Sequence, residues 1–267
     1  MFTQIVYTQL FKKVIYWLSI LIFVVIALSN INHAQANPIL NQPPAILVLG
    51  DSHIVAYQNT FAQVIQEKTR IPTFVMAKNG RQFINYIGQP NNLNSIQQLN
   101  PNYLVVAFGT NESVSVTPSA QDYERNKRQW TNLIKTIQMQ ISPHRLPNHH
   151  IIIVGAPLNL ARQRINVNTC RNRSDMQSIR ANGIHSIRAS HSLYSIQSMQ
   201  YQIAKENGYQ YWSWHGFILD FAGGDSQCII DKFINHNPPL MQADLIHFTK
   251  MGYRLAALDM MKYVDIK

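Results

Sequence analysis

Beyond its first forty residues the chain is punctuated by short, continuous apolar runs. Ala45 to Leu49 (AILVL), Tyr103 to Phe108 (YLVVAF) and Ile151 to Val154 (IIIV) are three of them, Thr73 to Ala77 is a further strand candidate, and Tyr209 to Trp212 is a weaker fifth. Continuous rather than alternating hydrophobicity is the signature of strands buried on both faces. Helical spacing fills the intervals. Val55 to Lys68 reads as a helix. Behind a Ser119 cap, a longer one carries Tyr123, Trp130, Ile134, Ile137 and Ile141 on one stripe. A polar stretch, Asn166 to Asn182, precedes a helix predicted from His191 to Glu206. Thr249 caps a last helix with Met251, Leu255, Leu258 and Met261 at helical spacing. Strands alternating with helices predict an α/β fold, a three-layer α/β/α sandwich around a mostly parallel five-stranded sheet. Sites in such sheets form beyond the carboxyl ends of strands, where strand order reverses.

The first residues follow a different pattern. Lys12 and Lys13 precede an apolar run from Val14 to Leu28, and a polar stretch then leads to Ala34-Gln35-Ala36. A positive flank, a short apolar core and a small-x-small site describe a secretory signal peptide over residues 1–36. The run is shorter than the roughly 20 residues that span a bilayer as a helix. Export is the expectation, with cleavage after Ala36 or retention as an N-terminal anchor both open. Residues 37–44, with Pro38, Pro43 and Pro44, read as a linker. Residues 45–267 then form one domain, a size that suits a single core.

Composition adds two constraints. A net charge of +10 in an exported chain points away from nucleic acid. It suits either a solvated basic surface or association with anionic envelope polymers and lipid head groups. The two cysteines, Cys170 and Cys228, would meet an oxidising compartment, where they form a disulfide or stay as two buried thiols.

The residues that follow the strands carry candidate chemistry. Gly50-Asp51-Ser52-His53 comes straight after the first, Asn79-Gly80 after the second and Gly109-Thr110-Asn111-Glu112 after the third. Asp244-Leu245-Ile246-His247 stands just before the final helix. Its carboxylate and imidazole, three residues apart, can face the same way on a helix-like turn. A serine hydroxyl needs a base to become a nucleophile, and a base needs an orienting carboxylate.

GDS after the first strand, Gly after the second, GTN after the third and D-x-x-H near the end, in that order, resemble the SGNH/GDSL hydrolase superfamily. His53 departs from the namesake motif, which has Leu there. The resemblance implies a flavodoxin-like five-stranded sheet, Ser52 as nucleophile, His247 as general base and Asp244 as its orienting acid. It implies an oxyanion hole made by the backbone N–H of Ser52, the N–H of Gly80 and the amide of Asn111. At Gly80 the backbone must approach substrate closely, and a missing Cβ would permit that. Gly109 is expected to serve a tight turn. Asp220 is a rival carboxylate without a fixed spacing to any histidine.

Other chemistries find no motif. There is no G-x-S-x-G elbow, H-E-x-x-H, G-x-G-x-x-G or Walker sequence, and His149-His150 read as surface residues before a strand. Hydrolysis without cofactor or metal is the expectation. Tyr211-Trp212-Ser213-Trp214 and Gly223-Gly224 look like the corresponding stretch of cell-wall carbohydrate O-acetyl esterases. Trp212 and Trp214 either offer flat faces to sugar rings or pack in the core beside the fifth strand. The expected substrate is an O-acetyl ester on an envelope glycan such as peptidoglycan. Lysophospholipase or thioesterase activity, acyl transfer through the same triad and a non-catalytic glycan-binding role are the alternatives.

Overall fold

The computed structural model describes residues 43–112, 120–141, 144–157, 196–223, 232–233, 235–242, 244 and 246–267. The signal segment, most of the linker, the Ser119 cap, the Asn166–Asn182 stretch, Cys170, Cys228 and Gly224 lie outside them.

Five strands form one sheet: β1 (Ile46–Gly50), β2 (Thr73–Ala77), β3 (Tyr103–Ala107), β4 (Ile151–Gly155) and β5 (Gln210–Ser213). Their order is β2-β1-β3-β4-β5, and every pair is parallel. Each run expected from the sequence is a strand, within a residue or two at its ends. β1, β3 and β4 are buried throughout, which is why their apolar runs do not alternate.

Seven helices among the described residues cover the sheet: α1 (Ser52–Thr69), α2 (Phe83–Ile87), α3 (Pro90–Leu99), α4 (Ala120–Ile141), α5 (Ile196–Asn207), α6 (Trp214–Phe221) and α7 (Lys250–Tyr263). One face of the sheet presents Ile46, Val48, Val105, Ile152 and Val154 to α1, α6 and α7. The other presents Leu47, Leu49, Leu104, Val106 and Ile153 to α2–α5. Alternate residues of each strand thus feed two separate cores, the three-layer sandwich expected. No helix among the described residues is long and apolar enough to cross a membrane.

Three details differ from the sequence reading. α2, α3 and α6 were not expected. α1 starts at Ser52 rather than Val55, with Asp51 at its N-cap accepting from the His53 N–H. It is also interrupted: Ala56 is extended, and Tyr57, Gln58 and Asn59 all take positive φ, from 49° to 64°. Three successive non-glycine residues there cost roughly 1–2 kcal/mol each. Part of that is offset by Thr60 Oγ1 donating to Tyr57 O and Gln63 Nε2 donating to Gln58 O. At the other end of the domain the Thr249 cap is present, its Oγ1 accepting from the Gly252 N–H.

Candidate active site

Strand order reverses between β1 and β3, and the candidate residues collect at the carboxyl ends of these strands and of β2. Ser52 is the first residue of α1, directly after β1 and Asp51. Its Oγ lies 3.0 Å from His247 Nε2, and His247 Nδ1 lies 2.7 Å from Asp244 Oδ2. With Nδ1–H donated to the carboxylate, Nε2 keeps its lone pair toward the serine hydroxyl. Residues 195 apart in sequence thereby meet.

Asp244 and His247 share a tight turn. Asp244 Oδ1 accepts from the backbone N–H groups of Ile246 and His247, both at 2.9 Å, while Oδ2 holds the ring. Partial burial works to raise the Asp244 pKa. Hydrogen bonds from the His247 ring and from these two N–H groups outweigh it, and the net shift is downward. The carboxyl therefore stays ionised beside the imidazole, and Asp220, exposed on α6, does not take the Nδ1 position.

The loops after β2 and β3 are laced together. Asn111 Nδ2 donates to Arg81 O at 3.0 Å and lies 3.4 Å from Asp51 Oδ2. Glu112 Oε1 accepts from the Phe83 N–H, the first residue of α2, at 2.7 Å. Lys78 N donates to Gly50 O across the ends of β2 and β1. Gly80 takes φ +69°, and a Cβ built there meets no atom within 4 Å. The positive φ by itself favours glycine there. At Gly109 (φ +130°) a Cβ would come within 2.6 Å of Ala156 Cβ, so turn and packing both require glycine.

Two buried acids escaped the sequence reading. Burial pushes Asp51 up to about 6 and Glu112 up to about 7, against backbone N–H donors that pull both down. Asp-Ser and Asn-Glu in the motifs were visible, but only burial reveals their state.

Trp212 and Trp214 do not face the cleft. They are 3% and 1% exposed. Trp212 Nε1 donates to Asp259 Oδ2 of α7, and Trp214 stacks on Phe61 at 5.1 Å. The sugar-platform expectation is corrected: the end of β5 and the first residue of α6 direct these rings into the core shared with α1 and α7, and the alternative of core packing holds. His149 and His150 sit at the start of β4, the opposite edge of the sheet, with His150 stacked on Tyr103. Among the described residues no group of three His, Cys, Asp or Glu side chains could hold a metal ion.

Such an arrangement can take a proton from a hydroxyl, return it to a leaving group and offer nearby N–H donors to a developing oxyanion. The architecture around it is an SGNH/GDSL hydrolase-like fold. Among solved structures, a lipase/acylhydrolase from Enterococcus faecalis is similar at TM-score 0.51 and 12% identity over 82% of this chain and 94% of that one. The psychrotrophic esterase EstA from Pseudoalteromonas sp. is similar at TM-score 0.50 and 16% identity over 82% and 95%. A peptidoglycan O-acetylesterase is similar at TM-score 0.50 and 21% identity, over 72% of this chain and 45% of that one. The similar region is thus under half of that esterase. No protein-family model matches the sequence, and no curated protein matches it.

Proposed function

We propose that this chain is an exported serine carboxylic ester hydrolase that removes O-acetyl groups from an envelope glycan such as peptidoglycan. The observation that carries the reading is the Ser52–His247–Asp244 relay, with contacts of 3.0 and 2.7 Å. Ser52 Oγ attacks the ester carbonyl as its proton moves to His247 Nε2. The C–O bond to the glycan breaks as that proton passes to the leaving alcohol. Water, activated by the same imidazole, then releases acetate from Ser52. Asp244 keeps the tautomer and stabilises the imidazolium. The Ser52 and Gly80 N–H groups and the Asn111 amide form the oxyanion hole. For this Asn111 exchanges its long contact to Asp51 for the substrate oxygen.

Export follows from the signal-like residues 1–36. An anionic polymer is supported by the rim itself. Lys78 and Arg81, exposed on the loop that carries Gly80, have no ion-pair partner among the described residues.

The test is acetate release from O-acetylated peptidoglycan, beside a chain-length series of nitrophenyl esters, with Ser52→Ala as control. Release from the polymer, a preference for acetyl and an inert Ser52→Ala variant are expected. Arg81→Gln should raise KM for the polymer severalfold while leaving nitrophenyl acetate untouched. No acetate release together with brisk cleavage of long acyl chains would replace this substrate with a lipid ester.

A further inference from the structure

His53 is a buried titratable group that the ester chemistry does not use. It stands where the namesake motif has Leu, it is 2% exposed, and its ring lies 5.1 Å from that of His247, tilted by 32°. Trp214, Phe248 and Tyr253 surround it at ring separations of 5.8, 6.3 and 6.0 Å. Its Nδ1 is 3.1 Å from Tyr253 Oη. Its Nε2 is buried without a hydrogen-bond partner. A leucine would fill the volume without leaving a buried polar atom unsatisfied. Retaining histidine here calls for a reason beyond packing.

The reason lies in what holds His247. Its two hydrogen bonds run through opposite edges of the ring, to Asp244 and to Ser52. Neither resists rocking about the line that joins them. The side chains of His247 and Asp244 are themselves 30% and 42% exposed. A second ring packed beside it, tilted by 32° at the centroid separation typical of aromatic pairs, is placed to limit the rocking. We propose that His53 is the positioning residue for His247, a flat ring locked by Tyr253 that sets the imidazole over the Ser52 hydroxyl. Burial, reinforced by the charge of His247, pushes His53 down to about 3, so it stays neutral when His247 takes up the proton. A second cation would otherwise face the first.

This inference rests on the reading of His247 as general base, and its test separates the two. Wild type, His53→Leu, His53→Phe and Tyr253→Phe are compared by kcat and KM on nitrophenyl acetate, by the rate of fluorophosphonate labelling and by melting temperature. Expected are a kcat at least tenfold lower in His53→Leu at unchanged KM and slower labelling in parallel. His53→Phe should recover most of the rate, since it restores the flat face. Tyr253→Phe should lose a few-fold in kcat only. A His53→Leu enzyme as fast as wild type overturns the inference, as does a His53→Phe that folds but is as slow as His53→Leu. If His53→Phe fails to fold, a full-rate Tyr253→Phe overturns it instead. A wild type that neither turns over ester nor reacts with fluorophosphonate sinks the esterase reading rather than this one.

Discussion

The site has two halves held in different ways. Asp51, Ser52, Asn111 and Glu112 sit on the ends of β1 and β3, two fully buried strands paired in register. Every turn there is tied to a neighbour: Asn111 to Arg81 O, Glu112 to Phe83 N–H, Asp51 to His53 N–H. Asp244 and His247 belong instead to a half-exposed segment between α6 and α7. What locates it is a small set of anchors around Phe248: an antiparallel bridge to Met241, the Gln242 N–H bond to His247 O, and the Thr249 N–H bond to Leu240 O. Leu240, Met241 and Phe248 are buried, while the functional side chains above them are not. One half is positioned by the sheet. The other is positioned by a local turn and by what packs beneath it.

Breaking the relay that joins the halves has the largest expected effect. Ser52→Ala or His247→Ala should lower kcat on nitrophenyl acetate by about 10⁴-fold or more, and the double variant should be no worse, because the residues act as a unit. Within the exposed half, Asp244→Asn should lose about 10³–10⁴-fold, since the amide leaves His247 in the wrong tautomer. A near-normal Asp244→Asn would mean that another carboxylate orients the ring. Within the buried half, Asn111→Ala should lose about 10²–10³-fold in kcat with little change in KM, the usual result of deleting one oxyanion donor. Steady-state kinetics on the same ester ranks all three.

Those two halves were also unequally legible. Strands buried on both faces must be apolar throughout, so AILVL, YLVVAF and IIIV announced themselves, and the functional residues of the first half follow them directly. The D-x-x-H spacing announced the turn of the second half but not its anchors, which depend on Phe248 meeting Met241. Helix α2 (FINYI) was missed because it is a single short turn of five residues, and α3 (PNNLNSIQQL) because it buries a single residue, Ile96. In Tyr57-Gln58-Asn59 only Asn59 is of a type that visits the left-handed region readily, and no glycine stands there to mark the turn. Trp212 of β5 and Trp214 at the start of α6 show the same limit. Apolar and aromatic at a strand end, they fit a sugar platform and a core equally well until the packing of Phe61 and Asp259 is known. His53, Asp51 and Glu112 were visible as letters, but their roles come from burial, which sequence does not carry.

The smallest predicted effect bears on the cost of burying the first half. Glu112 is raised from 4.5 to about 7, and Asp51 from 3.8 to about 6. Between these values the folded state holds more protons than the unfolded chain. Stability therefore falls as pH rises from about 4 through about 7, and the penalty is absent below that window. Glu112→Gln removes the Glu112 share. The glutamine oxygen can still accept from the Phe83 N–H, while its NH2 takes the place of the second carboxylate oxygen. The effect of that replacement on stability is independent of pH. The informative quantity is thus the change in the mutational difference between pH 4 and pH 8, measured by urea unfolding. It should favour the variant at pH 8 by on the order of 1–3 kcal/mol. A difference that stays flat across this range would mean that Glu112 titrates as an ordinary surface acid, and that the lacing of the β2 and β3 loops is looser than its 2.7 Å hydrogen bond implies.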